Sequence, residues 1–223
     1  MRVSEAVARR YSARAFLPQP VARETVAGIV SAALRAPSGG NLQPWKLQAL
    51  TGAPLQALLD EVADKLASGH FGEPPDYEVY PKNLFEPYRS RRFQTGEDLY
   101  ASLAIGREEK AKRLLQFAAN FRLFGAPVGL FVALDRRMGP PQWSDLGMFL
   151  QTLMLLAVEA GLDTCAQEAW SQFPQTLAKH LDLAETDMVF CGVALGYADP
   201  DHPINQWRTR RAALDEVAIF RGF

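Results

Sequence analysis

The sequence predicts a single α+β domain, residues 1–223, on three observations. Its 223 residues fit one domain. Hydrophobic residues at 48% and charged residues at 22% are ordinary globular composition. Stretches of helical period also alternate with short apolar runs of strand length, and no composition break marks a second unit. A chain of this size buries roughly 70% of its unfolded surface and needs no covalent staples.

The elements follow in order. Residues 2–10 read as a short helix. Residues 22–35 read as a longer one, with Val26, Ile29, Val30, Ala33 and Leu34 at helical spacing. Pro37 and Gly39-Gly40 end it and open a loop. Trp45 to Leu50 alternates like a strand. Residues 54–67 return to helical period through Leu55, Leu58, Leu59, Val62 and Leu66. Val128 to Leu134 reads as a strand. Asp145 to Ala160 reads as a helix apolar on almost every face, which other elements must enclose. Pro174 opens a helix through 181, Val189 to Tyr197 is a buried strand, and 212–223 is partly helical.

Residues 70–124 differ. They hold ten aromatic residues, prolines at 74, 75, 81 and 87, and the basic run Arg89-Ser90-Arg91-Arg92. The simplest reading is an insertion acting as a lid over a pocket. Its irregular, proline-rich part at 70–100, with Tyr77, Tyr80, Phe85, Tyr88 and Phe93, is the expected pocket wall. Phe117, Phe121 and Phe124 sit at helical spacing and are expected in the core.

Charge and motifs exclude several functions. A net charge of -1 offers no field for nucleic acid or an anionic membrane. The charged amphipathic N-terminus has no signal-peptide core, and Leu146 to Leu162 is too short to span a bilayer. Cys165 and Cys191 form no CxxC pair and read as buried free thiols, which points to a cytoplasmic location. There is no GxGxxG, P-loop, HExxH or GxSxG. His70, His180 and His202 are isolated, so neither a metal site nor a Ser-His-Asp triad is expected.

Three segments carry chemistry. In Arg10-Tyr11-Ser12-Ala13-Arg14-Ala15-Phe16 a hydroxyl stands between two guanidiniums, whose forks suit phosphate or carboxylate oxygens. In Ala36 to Trp45 a loop of small residues presents Ser38, Asn41 and Gln43, so that backbone and amides can approach a planar polar ring. In Asn205 to Arg211, Arg208, Arg210 and Arg211 flank the Thr209 hydroxyl.

In this order the three segments resemble the nitroreductase family of flavoproteins. The pattern Arg-x-Ser-x-Arg-x-Phe is met from Arg10 to Phe16. Ala-Pro-Ser-x-x-Asn-x-Gln-Pro-Trp is met from Ala36 to Trp45. The glycine strand, Gly-Tyr, proline turn, Arg-x-Arg and Leu-x-Glu ending is met from Gly192 to Glu216. The likeness covers most of the chain outside 70–124. It implies a central, mainly antiparallel sheet flanked by helices in an intertwined homodimer. It implies an FMN-dependent enzyme that uses NAD(P)H to reduce nitroaromatic or related electron-poor small molecules by ping-pong hydride transfer. Quinone or enone reduction, and flavin binding without turnover, are the alternatives.

By the same resemblance, Arg10 and Ser12 bind the FMN phosphate and ribityl end, with the Tyr11 backbone alongside. Arg14 lies by the N1–O2 edge of the ring. Pro37, Ser38, Gly39, Asn41 and Gln43 belong to the small-residue loop that reaches the flavin from the other subunit. Arg208 and Arg210 form the C-terminal phosphate pair. The loop Cys165 to Trp170 brings Glu168 and Ala169 to N5 and O4 through backbone N–H groups. Two positions depart from the family: Tyr11 stands where many members carry Arg or His, and Ala169 where some carry Gly.

Overall fold

The computed structural model describes residues 1–223. The chain forms α1 (Val3–Arg9), α2 (Arg23–Ala33), β1 (Lys46–Thr51), α3 (Gly52–Ala67), α4 (Tyr88–Ser102), α5 (Lys110–Ala118), β2 (Val128–Asp135), α6 (Pro140–Glu159), β3 (Asp163–Gln167), α7 (Pro174–His180), β4 (Asp187–Gly196), α8 (Pro203–Gln206) and α9 (Leu214–Val217). Helices surround one four-stranded antiparallel sheet of order β1-β2-β4-β3, an α+β architecture.

Strand alternation divides the core in two. Leu130, Val132 and Leu134 of β2 and Cys191, Val193 and Leu195 of β4 face α2 and α6. Phe131 and Ala194 point the other way, toward Leu55, Leu58 and Val62 of α3 and Leu177 of α7. Both central strands are covered on both faces, which is why they read as continuous apolar runs. Gly192 makes room for Trp170, because a Cβ there would lie 2.5 Å from the indole Cδ1. Cys165 and Cys191 are free and buried, and burial pushes both thiols up.

Three sequence expectations need correction. Cys165 to Gln167 is not loop but the edge strand β3, so only Glu168 onward leaves the sheet. Five residues starting after Gly161 carry too little periodicity to be seen. Residues 88–102 are not irregular but form α4. Prolines stop at Pro87, its N-cap, and the helix breaks only after Ser102. Phe117 is exposed, while Phe121 and Phe124 are core. The helical run ends at Ala118, and Leu123 and Phe124 turn into the left-handed region, held there by their burial.

The start of the 70–124 segment is tied down. Lys65 of α3 bonds Glu73 at 2.8 Å and Thr176 at 2.6 Å, and Glu73 accepts the Gln175 and Thr176 N–H groups at the start of α7. Burial opposes ionisation of Glu73, but the bonds from Lys65 and Thr176 outweigh it and hold its carboxyl low. Tyr77 packs edge-on against Trp143 and beside Phe190, and its hydroxyl donates to the Phe190 carbonyl. It is an anchor to the body of the protein, not part of an open wall.

Candidate functional site

The 10–16 segment leaves α1 extended and runs beside β3. Ser12 pairs in parallel with Thr164, and the Ala13 N–H donates to the Thr164 carbonyl at 3.0 Å. Ala13 and Phe16 are buried, so Arg10, Ser12 and Arg14 are left to the outer side. The Leu17 N–H donates to the Tyr197 carbonyl, and the Asp199 N–H donates to Ala15. The N-terminal motif is thereby laced to the chain that follows β4.

Asn205 joins the two halves. Its side chain is buried, accepts the Arg14 N–H at 2.9 Å and donates to the Ala15 and Asp199 carbonyls, both at 2.8 Å. Its own carbonyl accepts from Arg208 Nη1. The Arg208 guanidinium lies 3.7 Å over the Tyr11 ring and also donates to the Trp207 carbonyl. A guanidinium stacked on a ring and bonded to two carbonyls is fixed in place before any ligand arrives. Burial, then the Asp163 carboxylate, raise the Tyr11 phenol above its ordinary range.

Between these segments lies a cleft of about 520 Å³, lined by Arg10, Ser12, Arg14, Arg208, Thr209 and Arg211, with Gln151 of α6 beside them. None of the four arginines pairs with a carboxylate. Burial, then the charge of Arg211, lowers the Arg10 pKa. Concentrated positive charge without a counter-ion is the electrostatic form of an anion site.

The structure sorts the expected residues into three groups. Arg10, Tyr11, Ser12, Arg14 and Arg208 meet in the cleft. Arg210 does not: its guanidinium pairs with Asp98 at 3.4 Å, and Arg211 lines the cleft instead. Alternation along an extended segment groups 208 with 210, but this stretch has no regular structure and turns 211 inward. Glu168 and Ala169 follow the end of β3, the strand that Ser12 pairs with. The Glu168 side chain keeps solvent contact, yet the protein around it raises its carboxyl. Beside them Gln167 Oε1 and Trp170 Nε1 are buried without partners.

Pro37, Ser38, Gly39, Asn41 and Gln43 lie apart from the cleft of their own chain. Their loop is largely exposed and tightly turned: Gly40, Asn41 and Gln43 have φ of 58°, 56° and 49°, and Ser38 Oγ accepts the Gln43 N–H at 3.0 Å. The Gly39 N–H donates to buried Asp145 of α6 at 3.1 Å. Gln151, which lines the cleft, is six residues further along α6 and faces another side of that helix.

Asn205 was not singled out from the sequence, and Arg211 was named beside Thr209 but left out of the phosphate pair. Both lay inside the quoted 205–211 segment; an asparagine just after a proline turn was the available signal, and nothing local distinguished 211 from 210.

The Nitroreductase family matches residues 7–197 of this chain. Among curated relatives, the 4-nitrobenzoate reductase of Pseudomonas putida is 38% identical over 97% of this chain and 94% of its own length. The nitrobenzene nitroreductase of Ectopseudomonas oleovorans is 36% identical over 98% and 96%. Among solved structures, the FMN and NADPH-dependent nitroreductase NfnB from Sphigopyxis sp. strain HMH superposes with a TM-score of 0.97 at 50% identity, covering all of both chains. By sequence and by fold, this chain belongs to the nitroreductase family.

Proposed function

We propose that this protein is an FMN-dependent oxidoreductase that uses NAD(P)H to reduce nitroaromatic compounds. The carrying observation is the cleft in which Arg10, Arg14, Arg208 and Arg211 converge without a counter-ion. The residues present fit FMN: Arg10, Arg208 and Arg211 with the Ser12 and Thr209 hydroxyls suit its phosphate, and Arg14 remains for the ring. Relatives that are nitroreductases, and an FMN and NADPH-dependent structural neighbour, support the same reading.

When bound, FMN would supply the redox chemistry between NAD(P)H and the nitro compound. The chain binds and orients. Arg10, Ser12, Arg208 and Arg211 hold the phosphate. Tyr11 holds Arg208 flat. Arg14, at the far end of the segment, would offer a cation that favours negative charge on the reduced ring. Glu168 and Ala169 offer backbone N–H groups from the end of β3.

The same reading makes the enzyme a homodimer in which Pro37, Ser38, Gly39, Asn41 and Gln43 of the partner subunit complete the flavin site. One chain leaves a stripe of α6 uncovered. Met148 and Gln151 are exposed and Leu155 is half-buried, while Ile219, Phe220 and Phe223 at the C-terminus stand free. The 88–102 helix and the loop before it form the lid of the expected insertion. Tyr80, Phe85, Tyr88 and Phe93 are all exposed there. No helix is long and apolar enough to cross a membrane, and two free buried thiols support a cytoplasmic setting.

The test is chemical. Purified protein is expected to be yellow and to release FMN on denaturation; FAD, or no flavin after reconstitution, refutes the reading.

A further inference from the structure

Helix α4 has two polar faces and no buried residue. On one, Arg91 pairs with Glu216 at 2.9 Å and Asp98 with Arg210 at 3.4 Å, docking the helix to the segment that carries Arg208 and Arg211. The opposite face presents Arg89, Arg92, Phe93 and Gly96, spaced i, i+3, i+4 and i+7. With Lys82 and Asn83 from the preceding turn, this face lines a second, open cleft of about 670 Å³.

The charge of this cleft is set by what is already neutralised. Glu97, on its edge, is bonded to both Arg113 at 2.8 Å and Arg107 at 2.6 Å, which hold its carboxyl down to about 2. Arg89 is matched by Glu86 at 2.8 Å, and Lys82 lies 3.9 Å from Glu78. Arg92 has no acidic partner. Its guanidinium lies 4.3 Å over the Tyr80 ring. Stacking uses the flat face of the cation and leaves its in-plane N–H donors free, the orientation a phosphate fork requires. Phe93, exposed beside it, carries the Arg107 guanidinium 5.1 Å over its ring and supplies an aromatic surface on which a base can stack.

We propose that this second cleft binds the 2′-phosphorylated adenosine end of NADPH, with Arg92 as the residue that selects NADPH over NADH. The proposal rests on the oxidoreductase reading above and names where its reductant is recognised. Arg92, with Lys82 and Asn83, takes the 2′-phosphate, and Phe93 or Tyr80 stacks the adenine. α4 carries this cleft on the face opposite the one fastened to the phosphate-binding segment of the first cleft.

Anaerobic reduction by NADPH and by NADH, measured on FMN-loaded protein, tests this. Arg92→Ala is expected to lower kcat/KM for NADPH by about tenfold to a hundredfold, the scale of losing a charge-assisted hydrogen bond. NADH turnover and flavin content are expected to stay as they were. Arg92→Lys should restore part of the loss, and Arg91→Ala on the opposite face should leave the NADPH/NADH ratio unchanged. Calorimetry with 2′,5′-ADP against 5′-ADP reads the cleft without turnover. The 2′-phosphorylated probe should bind wild type the tighter, and that advantage should vanish in Arg92→Ala. An unchanged ratio in Arg92→Ala, an equal fall for both nucleotides, or no preference for 2′,5′-ADP would overturn the proposal. Wild-type protein reduced by neither nucleotide would instead refute the oxidoreductase reading, and the 2′,5′-ADP comparison would still decide the cleft.

Discussion

Four guanidiniums in one cleft repel one another unless an anion joins them, so the residues of the phosphate site are held by groups that are not themselves charged. Asn205 and the Tyr11 ring do this work. Arg208→Ala should therefore weaken FMN binding by about 1–3 kcal/mol, read by fluorescence titration of apoprotein. Tyr11→Phe keeps the ring under Arg208 and should bind FMN nearly as wild type, whereas Tyr11→Ala should not. A second prediction concerns acid. Glu61 is bonded to Lys179 at 2.7 Å and His180 at 2.8 Å, which hold its carboxyl down to about 2. A depressed carboxylate stabilises the fold at pH values above its unfolded pKa and loses that contribution as pH falls through the folded one. Between about pH 4.5 and pH 2, Glu61→Gln should flatten the fall of Tm with acidification; the effect is small because the pair is partly solvated. An identical pH slope in wild type and variant would count against the ion pair. The site was legible at Arg10, Ser12, Arg14 and Arg208, where charge and hydroxyl alternate in a short stretch. It was illegible at Asn205, whose role is set by partners up to 191 residues distant.

The elements most easily read were those with a strong helical period, α2 and α3, and those with a continuous apolar run, β2, α6 and β4. Strand β3 escaped because it is five residues long and its partner is β4, not a neighbour in sequence. The α4 helix escaped because it buries nothing and so has no apolar stripe. That same lack of burial motivates a prediction about substrate choice. Alanine at Tyr80, Phe85, Tyr88 and Phe93 in turn should change the ratio of kcat/KM between two nitroaromatic acceptors in at least one case, with FMN retained. If all four leave the ratio alone, the insertion is scaffold. Tyr77→Ala should behave differently, lowering Tm through lost packing on Trp143 and Phe190. At the sheet, Gly192→Ala forces a methyl group onto the Trp170 indole and should destabilise by about 1–3 kcal/mol, as overpacking does.

At the scale of the whole molecule, α6 states the difference between sequence and single chain most clearly. Its sequence is apolar nearly all round, yet one chain leaves a stripe through Met148 and Gln151 exposed. In the proposed homodimer a second copy would cover the remainder and carry the Ser38–Gln43 loop to a cleft its own chain does not bring it to. Leu155→Glu should therefore shift sedimentation toward monomer and release FMN together; a monomer that keeps full FMN would contradict the shared site. The central claim is electron transfer through bound flavin. Under nitrogen, NADPH mixed with the purified yellow protein should bleach it, and a nitroaromatic such as 4-nitrobenzoate added afterwards should restore the colour as the nitro compound is consumed. Colour that persists with NADPH, or that bleaches but does not return with the acceptor, would contradict it.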